Sequence, residues 1–93
     1  MIVKVQEYVG TFAEDKDVAK MIRQEHILPS IAANQEITID FQGVQSSTQS
    51  FVHALISKAL QDNGEAVLQK ILFSNCSDKV KRLITMVTNY SLE

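Results

Sequence analysis

Alternation of apolar and polar positions is sharpest between residues 37 and 42. There Ile37, Ile39 and Phe41 alternate with Thr38, Asp40 and Gln42. A period of two puts the two sets on opposite faces of a strand. Gly43 stops this strand and Val44 anchors its exit. Residues 2–8 are rich in β-branched side chains and predict a first strand, stopped by Gly10. Residues 68–74 predict a third, with Ile71 and Phe73 on one face and Leu68 and Leu72 on the other.

Between the strands the period lengthens. Val18, Met21 and Ile22, then Leu28, Ile31 and Ala32, predict a helix over 15–33 whose apolar face weakens at Glu25. Asp15 or Asp17 would cap it, Pro29 would kink or restart it, and Asn34-Gln35 would end it. A second helix is predicted over 48–62 from the pairs Phe51/Val52, Leu55/Ile56 and Ala59/Leu60, repeating every four residues up to Asn63-Gly64. A third is predicted over 78–90, with Ser77 as cap and Val80, Leu83, Ile84 and Val87 inward. The predicted core is Ile37, Ile39, Phe41, Phe51, Leu55, Ile71, Phe73, Leu83 and Ile84. The β-α-β-α-β-α order implies an α/β domain with a small, mostly parallel sheet and right-handed crossovers. Clean alternation in the middle strand implies two layers, with one sheet face partly open.

At 93 residues the chain is expected to form a single domain over 1–93, with Leu92-Glu93 read as a cloning scar. Its 45% hydrophobic and 22% charged content fits an ordered core. A net charge of −2 and a pI near 5.6 supply no basic field for nucleic acid or anionic lipid. No apolar run approaches the ~20 residues that span a bilayer, so no membrane contact is expected. The start of the chain lacks the pattern of a secretory signal. Cys76 stands alone, which excludes an internal disulfide and a cysteine zinc cluster and favours the cytoplasm. No motif asks for a cofactor.

Four places carry candidate chemistry. The polar run Gln45, Ser46, Ser47, Thr48, Gln49 and Ser50 opens the second helix. Ser46 with Gln49 fits a capping box, with Ser47 or Thr48 as other caps. The same free N–H groups would favour a phosphate on Ser47 or Ser50, or a partner's carboxylate. Asp40 ends a parallel strand, where open α/β sheets place ligands, and is either a ligand contact or a loop anchor. His53 and Ser57 lie four apart, without an orienting acid at recognisable spacing. His26, His53 and Asp40 have no metal-ligand spacing, so no metal is expected. Lys79, Lys81 and Arg82 form a solvated face or a patch for an acidic partner. Cys76 reads as a small packed residue.

The segment ITIDFQGVQSSTQSFVHALISKAL is a strand ending in Asp-aromatic, then Gly-Val, a Ser/Thr run, Ser-Phe and an amphipathic helix. It resembles the STAS superfamily, the fold of anti-sigma-factor antagonists and sulphate-transporter tails. It is more closely similar to the bacterial STAS-like domain of unknown function, as is the later stretch KILFSNCSDKVKRLI. In anti-sigma antagonists the first Ser of an Asp-Ser-Ser-Gly-like turn is phosphorylated. Here Gln49 stands at that position and Ser50 matches only the second Ser. His53 and Ser57 replace the Asn and Gly of the STAS-like group.

The resemblance implies a non-enzymatic regulatory module that presents 45–50 and the second helix to a protein partner, such as a histidine-kinase-type ATPase or another regulator. The alternative is a small-ligand or phosphotransfer protein using a strand-end pocket near Asp40. A hydrolase built on His53 is a third reading. Ser47 is expected to be more reachable by a kinase than Ser50, which Phe51 packing would hold inward. Leu68 and Leu72, on the open sheet face, predict a weak homodimer or partner contact.

Overall fold

The computed structural model describes residues 1–93. In chain order it forms strand β1 (Ile2–Lys4), a short helix α1 (Gln6–Val9) and strand β2 (Phe12–Ala13). The helical rod α2 (16–32), strand β3 (Ile37–Asp40) and strand β4 (Ser46–Ser47) follow. A second rod α3 (49–63) leads through a 3-10 turn (Gly64–Gln69) to strand β5 (Ile71–Ser74) and helix α4 (Asp78–Ser91).

β1, β3 and β5 pair in parallel in that spatial order, as the β-α-β-α-β-α order implies. Ile2, Thr38 and Leu72 stand in one row, and Val3, Ile39 and Phe73 in the next. Val3, Ile37, Ile39 and Ile71 are buried, whereas Ile2 is 63% and Leu72 45% exposed. The sheet is therefore covered on one face only, and the molecule is a two-layer α/β domain.

The flanking strands are shorter than their sequences suggest, for one reason. Backbone N–H groups form ladders only where a partner strand exists. β3 ends at Asp40, whose carbonyl takes the N–H of Val5, the residue just after β1. Beyond it, the N–H groups of Tyr8 and Val9 close back on the Val5 carbonyl, so residues 6–9 are helical and not strand. β3 also begins only at Ile37, whose N–H donates to Lys70 O at 2.8 Å, so residues 68 and 69 lie beyond the ladder in the 3-10 turn, with Leu68 exposed there.

Asp15 caps α2, accepting from the N–H groups of Asp17 at 2.9 Å and Val18 at 3.4 Å. Pro29 does not break the rod. A widened π turn over Arg23–Ile27 absorbs it, with Leu28 N–H donating to Arg23 O five residues back just before the residue that has no N–H. α3 carries a second widened turn over His53–Ser57. Its apolar pairs repeat every four residues, which at 3.6 residues per turn drifts by about 40° each repeat. A wider turn offsets that drift, and Phe51, Val52, Leu55, Ile56, Ala59 and Leu60 are all buried. Gly64 ends α3 at φ 71°.

Phe41, Phe51 and Leu55 are buried as expected, but Phe73, Leu83 and Ile84 are only half-buried. β5 is an edge strand, so nothing covers the outer flank of the β5–α4 layer. Val80 and Val87 supply the buried contacts of α4 instead, and Leu92 packs against the same core.

Candidate functional site

The strand ends of the sheet are tied together by Asp40. Its Oδ1 accepts from Gln42 N–H at 2.9 Å and from Asn75 Nδ2 at 3.0 Å. The Asn75 and Gln42 bonds, helped by Lys4, hold its carboxyl below the usual carboxylate range. Asp40 thus joins the exits of β3 and β5. Next comes a tight turn in which Val44 N–H donates to Phe41 O with Gly43 at φ 84°. A Cβ on Gly43 would stand 2.5 Å from the Gln6 side chain. The backbone conformation is what requires glycine there, since the exposed end of the Gln6 side chain can move aside.

Residues 45–50 are not a loop. Gln45 N–H donates to Thr11 O at 2.8 Å and Thr48 N–H to Ala13 O at 2.9 Å, so Ser46–Ser47 pair in parallel with Phe12–Ala13. Ser77 Oγ donates to Gln45 O at 2.9 Å while capping α4 through Val80 N–H at 3.2 Å. Thr48, not Ser46, caps α3, with Oγ1 accepting from Phe51 N–H at 3.1 Å. The segment is a short strand followed by the first turn of a helix, fixed at both ends.

This geometry reverses the expected access of the two serines. Ser47 is half-buried and its Oγ donates to Ala13 O at 2.9 Å. Ser50 is exposed on the first turn of α3, while Phe51 and Val52 turn inward. Gln45 and Gln49 are exposed, and Ser46 and Thr48 half-buried.

His53 and Ser57 do not act on each other. His53 is exposed, its Nδ1 lies 2.8 Å from Tyr90 Oη, and the two rings stack at 5.7 Å. Ser57 is buried and accepts from Ser91 Oγ at 2.9 Å. Together the two contacts stitch α3 to the last turns of α4. His26 lies half-buried on α2, and no three His, Cys, Asp or Glu side chains are grouped to hold a metal ion. Burial pushes the Cys76 thiol up, against the pull of Lys81, which is the reverse of a reactive thiolate. Lys79, Lys81 and Arg82 are exposed along α4.

One cluster went unread in the sequence. Lys16, Lys20 and Arg23 of α2, with Gln49, Ser50, His53 and Ala54 of α3 and Tyr90 of α4, line a cleft of about 580 Å³. Its signal is the spacing of the three cations, at intervals of four and three, which puts them on one helix face.

The sheet order, the one covered face and the turn–strand–helix passage beside Asp40 define a small two-layer parallel α/β domain of the STAS kind. The profile of the STAS-like domain of unknown function matches residues 18–81, and the chain belongs to that family. The match opens inside α2 and closes in α4, spanning β3, β4, α3 and β5. No curated protein and no solved structure matches the chain.

Proposed function

We propose that this STAS-like domain is a non-enzymatic regulatory module whose docking surface is segment 45–50 with the exposed side of α3. The observation that supports this reading is the fixed presentation of the segment. Hydrogen bonds to Thr11, Ala13 and Ser77 hold its backbone, while Gln45, Gln49 and Ser50 project outward. A surface already ordered before binding loses less entropy on docking. The partner class suggested by the family resemblance is a histidine-kinase-type ATPase or a related bacterial regulator in the cytoplasm.

Binding through this surface does not require phosphorylation. A phosphate on Ser47 would break its bond to Ala13 O, whereas one on Ser50 would stand free at the helix start. Affinity capture from the native host tests the reading. Scrambling the exposed residues Gln45, Gln49 and Ser50 should abolish capture, and Ser50→Asp should weaken it less. Loss of capture with Ser50→Asp alone, together with phosphoserine at 50 in cells, would replace this reading with a phosphorylation switch.

A second reading draws on a hollow of about 300 Å³ beside Asp40, lined by Lys4, Gln6, Glu7, Gln42 and Gly43 as well. Its walls carry no apolar side chain, so only a small polar ligand suits it. The open sheet face, with Ile2 and Leu72 exposed in one register row, is the surface we propose for weak self-association.

A further inference from the structure

We infer that the cleft between α2 and α3 binds a small phosphorylated molecule. The first ground is charge. The protein carries a net charge of −2, yet this cleft is lined by Lys16, Lys20 and Arg23 and by no carboxylate. The one ion pair in the protein joins Lys58 and Asp62 elsewhere, so none of the three cations is paired. Three cations converging on one cleft repel each other, and a multiply charged anion removes that repulsion. A single carboxylate would neutralise only one of them.

The second ground is the donor set. Arg23 Nη1 donates to the Ala54 carbonyl at 3.0 Å, which fixes the guanidinium against α3. Its Nε is buried and has no hydrogen-bond partner. A buried N–H donor without an acceptor is rare in folded proteins. That nitrogen is closed to solvent, so no oxygen in the cleft reaches it; the shortfall leaves the guanidinium charge under-compensated, an anion in the cleft would offset it through the remaining N–H groups, and arginine is suited to phosphate. Ser50 and Gln49 add neutral donors on the opposite wall.

The third ground is size. At about 580 Å³ the cleft falls within the range of small-molecule sites and is far larger than a phosphate ion needs. The stacked rings of His53 and Tyr90 form part of its wall and offer a flat surface to an organic group. The ligand therefore has a phosphoryl end held by α2 and an organic end against the rings. This site lies apart from the hollow at Asp40 and does not depend on the docking surface proposed above, although Gln49 and Ser50 belong to both.

Amide and side-chain NMR titrations of the full chain would test this, using a nucleoside diphosphate, pyrophosphate, inorganic phosphate and a poly-glutamate peptide as probes. Saturable shifts confined to 16–23, 49–54 and Tyr90 are expected, with the nucleoside diphosphate binding tightest. Equal affinity for pyrophosphate would still support a phosphate cleft and assign recognition to the phosphates alone. Lys16 and Lys20 are exposed, so Lys16→Glu with Lys20→Glu should leave the fold intact while weakening binding by about tenfold or more. Lys79→Glu with Lys81→Glu should leave binding unchanged. The inference fails if shifts do not saturate, if they follow the basic face of α4 equally, if the α2 variant binds like the parent, or if only the peptide binds.

Discussion

Removing either hydroxyl of the Ser57–Ser91 pair should cost more than removing both. Ser57 is 2% and Ser91 5% exposed, and the 2.9 Å bond between them is the one side-chain pair buried between α3 and α4. Ser57→Ala leaves the Ser91 hydroxyl without its acceptor, and Ser91→Ala leaves Ser57 without its donor. A buried polar group stripped of its partner costs about 1–3 kcal/mol, so about 1.5 kcal/mol is a working figure for each variant. For a domain of this size that corresponds to a fall in melting midpoint of roughly 6–12 °C. The double variant leaves no hydroxyl stranded and gains a few tenths of a kcal/mol of helix propensity at each site. It should lie within about 0.5 kcal/mol of the parent. Thermal and denaturant melts of all four proteins, followed by circular dichroism, give the coupling energy directly. If the double variant loses the sum of the two single losses, the pair is not coupled and the stitch between α3 and α4 lies elsewhere.

Thr48→Ala should destabilise the protein by about 1 kcal/mol through loss of the α3 cap, while Ser46→Ala stays close to the parent; denaturant midpoints separate the two. Asp40 has a folded pKa below its unfolded one, so its contribution is complete above the ordinary carboxylate range and is lost as pH falls through the lower folded value. Asp40→Asn should therefore flatten the acid limb of a stability–pH profile without introducing a new transition at neutral pH. Sedimentation should detect concentration-dependent association that Leu72→Lys abolishes, and a strict monomer at high concentration would remove the open sheet face as a self-contact.

Much of the fold was legible because its signals are local. The Ile37-Ile39-Phe41 alternation placed the central strand, and the stripe from Phe51 to Leu60 placed α3. What the sequence hid depends on partners distant in the chain. Residues 6–8 and 68–69 were expected in strands, but no neighbouring strand reaches them, a fact that rests on where β3 starts and stops. Ser46 and Ser47 read as loop because two polar residues carry no periodic signal, and their strand exists only through Thr11 and Ala13. The same long-range contact decides which serine is accessible. Tyr90 lies 37 residues from His53, so a His–Ser reading at spacing four competed with a pairing that only the packing of α4 reveals. Asp40 was the candidate most legible in the sequence, and the structure shows it as the anchor of the loop after β3. The cleft cations escaped notice because their spacing on α2 resembles any solvated helix face until α3 is placed opposite.

The widened turns in α2 and α3 also bear on how relatives of this chain should be aligned. A π turn holds one residue more than the α turn it replaces, so each is equivalent to a single-residue insertion absorbed inside a helix and not in a loop. A homologue lacking that residue would keep Phe51 and Leu60 in the core only by opening a one-residue gap between positions 53 and 57. An alignment that moves the gap out to Asn63-Gly64 would instead turn the apolar positions of the second half of α3 toward solvent. The same holds at 23–27, where the gap should travel with Pro29: a relative with another residue there has an N–H to donate and no reason for the wider turn. Length differences of one residue in these two helices are thus to be read together with the residue at position 29 and with the four-residue repeat, and not as errors of alignment.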